Sequence, residues 1–127
     1  MLNWGVLRDW HAALNAGDVD GLLRLSTEDV EVGGPRGSGR GADLLRGWAA
    51  RAGIQLEPLR IYGRDGTFVV AQSARWRAAD GQLSAPQEVA SVFRVRDGLV
   101  ASVLRYDNLS AALQAAGLSE ADALSAQ

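Results

Sequence analysis

The chain has 127 residues, a formal net charge of -2 and 47% hydrophobic residues, which fits one globular domain with a single core and gives no argument for nucleic-acid or membrane-surface binding. It has no cysteine and one histidine, His11, which excludes disulfides, thiolate metal sites and cysteine nucleophiles and leaves too few imidazoles for a histidine-based metal centre. No apolar run approaches the ~20 residues of a membrane span and there is no signal-peptide core, so the expectation is a single cytoplasmic domain over residues 1–127, without metal or cofactor.

The apolar positions Val6, Leu7, Trp10, Ala13 and Leu14 form one stripe and predict a helix over residues 3–16, with Asn3 as N-cap and Gly17 as stop. Asp18 caps a second, short helix carrying Val19, Leu22, Leu23 and Leu25. Val30-Glu31-Val32 is a short strand. Residues 33–41, GGPRGSGRG, read as a flexible loop at the mouth of the fold, where Arg36 and Arg40 are expected to gate entry or touch an anionic group. Asp43 opens a third helix with Leu44, Leu45, Trp48 and Ala52 as its stripe, ended by Gly53. A strand follows over 54–62, where Pro58 asks for an edge or a bulge. Arg64-Asp65-Gly66 is a turn. Thr67 to Arg77 is a long strand with Phe68, Val70, Gln72, Ala74 and Trp76 on one face.

The stretch Val89 to Asp107 is the plainest signal in the chain. Two alternating runs flank Arg96-Asp97-Gly98, which is a hairpin signature. Val89, Ser91, Phe93 and Val95 share one face of the first strand, and Leu99, Ala101, Val103, Arg105 and Asp107 share one face of the second. Leu109, Leu113 and Leu118 follow on a terminal helix or turn. Helices first and an antiparallel meander after is an α+β order. The expected fold is a cone-shaped curved antiparallel sheet packed on three helices. The opposite faces, with Val69, Ala71, Ser73, Val92, Arg94, Val100, Ser102, Leu104 and Tyr106, are apolar enough to predict a homodimer.

Asn15-Ala16-Gly17-Asp18, Thr27-Glu28-Asp29-Val30-Glu31-Val32, the Gly-rich loop, Phe93-Arg94-Val95-Arg96-Asp97-Gly98-Leu99-Val100 and the ending Arg105-Tyr106-Asp107-Asn108-Leu109 with Gly117-Leu118 together resemble the nuclear transport factor 2-like superfamily. The ketosteroid isomerase and SnoaL-like polyketide cyclase branches are closest in pattern. The resemblance implies a cystatin-like roll over about residues 3–118. The isomerase residues would fall on Trp10, Gly34 and Ser91, none of which can perform proton abstraction or act as a neutral acid. The cyclase acid/base would fall on Asp107, while its assisting histidine has no counterpart here.

Three readings of the cone stay open. The first is an apolar pocket for a small organic molecule, lined by Trp10, Trp48, Gln72, Trp76, Ser91, Phe93, Val103 and Arg105. Gln72 and Ser91 are polar on otherwise apolar faces, which plain packing does not require. The second is a cyclase-, isomerase- or hydrolase-like enzyme with Asp107 as general acid/base. The structural alternative for Asp107 is a cap or an ion pair. The third is a dimerisation module whose cone is filled. His11 is either a packing residue or a partner of Asp107 in proton transfer. Gly37-Ser38-Gly39-Arg40-Gly41-Ala42 fits a dinucleotide-binding spacing but lacks the surrounding βαβ unit.

Overall fold

The computed structural model describes residues 4–34 and 37–124, residues 51 and 52 by backbone alone; Asn3 and Arg36 lie outside the described residues. The chain runs α1 (Gly5–Ala16), α2 (Val19–Arg24), β1 (Ser26–Gly34), β2 (Gly37–Arg40), α3 (Ala42–Ala52), β3 (Ile54–Arg64), β4 (Thr67–Trp76), β5 (Gln87–Arg96), β6 (Leu99–Tyr106), α4 (Leu109–Ala116), a 3-10 turn Glu120–Asp122 and β7 (Ala123–Leu124). The strands make one curved, open sheet in the order β2-β1-β6-β5-β4-β3-β7. This is the expected α+β class. Both Asp-Gly turns behave as their chemistry demands: Asp65-Gly66 and Asp97-Gly98 all have positive φ, at 55°, 81°, 55° and 78°, as a two-residue type I′ hairpin turn requires.

The sheet departs from the expectation in two places. The segment 33–41, expected as a loop, contains β2, which pairs antiparallel with β1 from Glu31 opposite Arg40 to Gly34 opposite Gly37. Glycines leave no side-chain alternation to read, so the pairing was hidden. The sheet is also not wholly antiparallel, because β1 runs parallel to β6, with Val32 beside Val103. The meander β3 to β6 is antiparallel throughout.

The inner face carries the main core. Leu7, Trp10 and Leu14 of α1, Leu22 of α2 and Leu45 of α3 meet Val30, Ile54, Leu56, Phe68, Val70, Ala74, Val89, Phe93, Val100 and Val103. Val100 was expected on the outer face. The register slips between Arg94, opposite Ser102, and Val95, opposite Val100. Ala101 is the extra residue of a bulge, so Val100 and Val103 both turn inward. A second slip between Pro58 and Arg60 leaves Leu59 as the extra residue on β3, which is how the chain accommodates Pro58.

Asn15 ties α1 to the margin of the sheet. Its Nδ2 donates to the Leu56 carbonyl and its Oδ1 accepts from the Leu56 N–H, both at 2.8 Å. The side chain thus acts as a one-residue strand partner for β3 beyond the reach of β7. Asn15→Ala should strand both backbone groups of Leu56 and cost about 2 kcal/mol. Urea denaturation checks this, and a loss below about 0.5 kcal/mol would mean that water replaces the amide.

The outer face is partly covered from within the chain. Ala112 and Leu113 of α4, with Leu118 after it, pack on Tyr62, Val69, Ala90 and Val92. Asn108 caps α4 by accepting from the Ala111 N–H at 2.8 Å. The sheet is therefore sandwiched between three helices on one side and one on the other. The apolar patch behind the expectation of a homodimer is shielded at its centre: Val69 and Ala90 are fully buried without a partner.

Candidate ligand cavity

A cavity of about 740 Å3 opens on the inner side of the sheet. Val32, Gly33 and Gly34 of β1 and Gly37, Ser38 and Gly39 of β2 form one wall, and Leu44 and Trp48 of α3 another. Ile54, Leu56, Trp76, Ser91, Val103 and Arg105 supply the rest from β3 to β6. The glycines are there for space. A Cβ on Gly33 would lie 2.5 Å from Ser38 Cβ and 2.7 Å from the Gly37 oxygen, and one on Gly39 would lie 2.6 Å from Leu44 Cδ2. Bare backbone lets the hairpin close tightly while leaving room beside it. Ser38 and Ser102 both donate to the Glu31 carboxylate, at 3.1 and 3.2 Å, which pins the β1–β2 hairpin to β6.

Five of the residues expected to bind a ligand line this cavity: Trp48, Trp76, Ser91, Val103 and Arg105. Trp10, Gln72 and Phe93 do not. All three are fully buried and form the layer behind the cavity, because their elements pack there without a gap. Trp10 stacks on Trp48, with centroids 6.5 Å apart and planes at 22°, and meets Phe93 edge-on at 5.2 Å. Its indole N–H donates to Ser26 Oγ at 3.2 Å. Of the positions matching the isomerase residues, Gly34 and Ser91 thus reach the cavity and Trp10 supports it. Gly33, Gly37, Gly39, Leu44, Ile54 and Leu56 were not foreseen as lining residues. The crowding of glycines into residues 33–41 was the signal available.

Arg105 is half-buried, and its guanidinium carbon lies 5.6 Å from the centre of the Trp76 ring. The contact holds the long side chain along the cavity wall. Among the described residues it has no ion-pair partner, and it is the one charged side chain lining the cavity. Asp107 follows the end of β6 and is exposed. The strand stops at Tyr106, so the alternation that would have carried Asp107 inward does not reach it, and it does not line the cavity. The cap of α4 is Asn108, not Asp107.

His11 is buried, in contrast to a surface helix histidine, and its partners are not Asp107. Nδ1 lies 2.7 Å from the Leu7 carbonyl, and Nε2 lies 2.8 Å from Gln72 Nε2. Gln72 Oε1 accepts from Ser91 Oγ at 2.8 Å. Burial pushes the imidazole down from 6.5 to about 4, against the opposing pull of the Leu7 carbonyl. The far side of His11 lines a smaller cavity of about 270 Å3 with Trp4, Leu7, Arg8, Pro58, Leu59 and Ile61. Among the described residues no cluster of three or more His, Asp or Glu side chains could hold a metal ion, and no helix is long and apolar enough to cross a membrane.

The SnoaL-like domain model matches residues 7–103. The chain belongs to the SnoaL-like family. No curated protein matches this SnoaL-like domain in sequence. Its fold is similar to that of solved structures. One is a nuclear transport factor 2-like protein of unknown function from Cytophaga hutchinsonii, 11% identical, TM-score 0.72, with 84% of this chain and 89% of that one covered. Another is TerC, co-crystallised with polyporic acid, at 18% identity and TM-score 0.73, with coverage of 90% and 96%. A third is SalBIII, an epoxide hydrolase/cyclase-like enzyme in pyran ring formation in the polyether salinomycin, at 18% and 0.73, with coverage of 85% and 92%. Identities this low carry the fold and leave chemistry to the residues themselves.

Proposed function

We propose that this SnoaL-like domain binds a small, flat, largely apolar organic molecule bearing one negative charge. The observation that carries the reading is the open cavity with Arg105 as its unpaired cation among the described residues. An apolar wall with a few placed polar groups is the usual form of a small-molecule site. A cation without a counter-charge, held beside indole and aliphatic surface, favours a carboxylate or an enolate over a neutral or cationic ligand. That TerC was co-crystallised with polyporic acid is in keeping with an acidic ligand. An acid/base role for Asp107 finds no support in its exposed position, so binding is preferred over turnover. The volume of the cavity likewise argues against a module with a filled cone.

Titration of tryptophan fluorescence with naphthoate, naphthol and naphthylamine tests the reading. Naphthoate should bind best, and Arg105→Met should weaken it by roughly 10- to 100-fold, the worth of a hydrogen bond to a charged group. Asp107→Asn should leave affinity unchanged. Equal affinity for the three probes, or an indifferent Arg105→Met, would remove the argument for an anion.

A further inference from the structure

The floor of the cavity has a fixed hydrogen-bond polarity, set three residues away. Ser91 sits on β5 directly opposite Arg105 on β6 and on the same inner face. A serine hydroxyl normally rotates to suit its partner and can donate or accept. Here the rotation is determined by a chain that begins in the backbone of α1. The Leu7 carbonyl oxygen can only accept, so His11 Nδ1, 2.7 Å away, must carry a proton. A neutral imidazole has one N–H, and buried His11 stays neutral down to about pH 4. Nε2 is therefore a bare lone pair. Gln72, 2.8 Å from it, must present its NH2 group there, because its oxygen would face a lone pair. The amide oxygen is thereby aimed at Ser91, and the Ser91 O–H is committed to it at 2.8 Å. Rotating the amide would set oxygen against Nε2 and leave a buried chain with two like groups in contact, a cost that neutral burial does not repay.

We infer that Ser91 meets the ligand as an obligate acceptor, so that the natural ligand carries a hydrogen-bond donor, a hydroxyl or an N–H, on the body whose anionic group lies at Arg105. The ligand class is thus a hydroxylated or N–H-bearing aromatic or enolic acid. Among the other polar side chains on the walls, Arg105, Trp48 and Trp76 are donors. Ser38, whose O–H is given to Glu31, is left an acceptor as well, but it is exposed on the edge strand β2, whereas Ser91 is buried and faces Arg105. An acceptor-only group such as an ether or a ketone placed on Ser91 would face lone pairs and leave its own polar atom unpaired. The inference rests on the cavity being the ligand site, and the test separates the two.

Positional isomers of hydroxynaphthoate, the matching methoxynaphthoates and unsubstituted naphthoate are titrated against the wild-type domain, Ser91→Ala and Gln72→Leu. In the wild type at least one hydroxy isomer should bind about tenfold tighter than its methoxy counterpart and than naphthoate, the worth of one net hydrogen bond. Ser91→Ala should erase that ratio while leaving naphthoate affinity in place. Gln72→Leu keeps the Ser91 hydroxyl but frees it to rotate, so the ratio of hydroxy to methoxy should fall towards one because the methoxy isomer gains. Methoxy isomers binding as well as hydroxy isomers in the wild type would overturn the fixed polarity while the cavity reading stands. A ratio that survives Ser91→Ala would overturn it too, since the donor would then be read elsewhere. Failure of every naphthoate to bind would sink the cavity reading, and the polarity with it.

Discussion

Replacing Trp10 by alanine should destabilise the domain by about 3–5 kcal/mol, the range for deleting a large buried aromatic side chain. Trp10 is fully buried. It stacks on Trp48, meets Phe93 edge-on and donates to Ser26, whose hydroxyl in turn donates to the Leu22 carbonyl at 2.9 Å. One ring thus joins α1, α2, α3, β1 and β5. Such a loss is a large share of the ~5–15 kcal/mol available to a domain. Equilibrium urea unfolding followed by far-ultraviolet circular dichroism measures it. Trp10→Phe keeps a ring in place and loses the N–H bond, so a smaller cost of about 1–2 kcal/mol is expected. A loss under about 1 kcal/mol for Trp10→Ala would show that the layer behind the cavity closes without it.

Acid should weaken the fold through His11 before the carboxylates contribute much. The unfolded imidazole titrates near 6.5 and the buried one near 4. Between these values the unfolded chain binds a proton that the native chain refuses. Stability is therefore fully present above pH ~6.5, falls as pH drops through the window, and levels off below pH ~4 as far as His11 is concerned. The whole step amounts to about 3 kcal/mol. Urea midpoints at pH 7, 5.5 and 4 for the wild type and His11→Gln separate this histidine from the acidic residues, which both proteins share. The wild-type midpoint should fall more steeply across the window. Parallel curves would show that the native state accepts the proton without cost.

What the sequence made legible is what side-chain period and turn chemistry can encode. The hairpin at Asp97-Gly98 and the strand carrying Gln72 and Trp76 needed only local pattern, and so did the stripe of α1; of the stripe expected on α3, Leu45 and Trp48 face the core, Leu44 is exposed, and the Ala52 side chain lies outside the described residues. Three features lay beyond that pattern for physical reasons. The β1–β2 hairpin is built largely from glycines, which show no inward and outward alternation. The bulge at Ala101 is silent because alanine fits either face of a sheet, and it reversed the placement of Val100. The chain from Leu7 through His11 and Gln72 to Ser91 spans residues 61 and 19 positions apart, so its existence and direction are tertiary facts. Gln72 and Ser91 were recognisable as polar residues on apolar faces. That they bond each other, and that His11 completes the set, was not. The lining of the cavity was legible in about the same measure: Trp48, Trp76, Ser91, Val103 and Arg105 by alternation and stripe, while Asp107 stands one step beyond the end of its strand.

The parallel seam between β1 and β6 has a consequence for how the domain comes into being. Val32 lies beside Val103, so a strand from the first third of the chain is completed by one from the last. During synthesis β1 can pair only with its short glycine-rich neighbour until β6 has left the ribosome, and the meander can order itself first from local hairpins. Distant pairings of this kind raise the entropic barrier and slow folding. The glycine hairpin itself is local, but it takes its place as a wall of the cavity only when β6 arrives beside it.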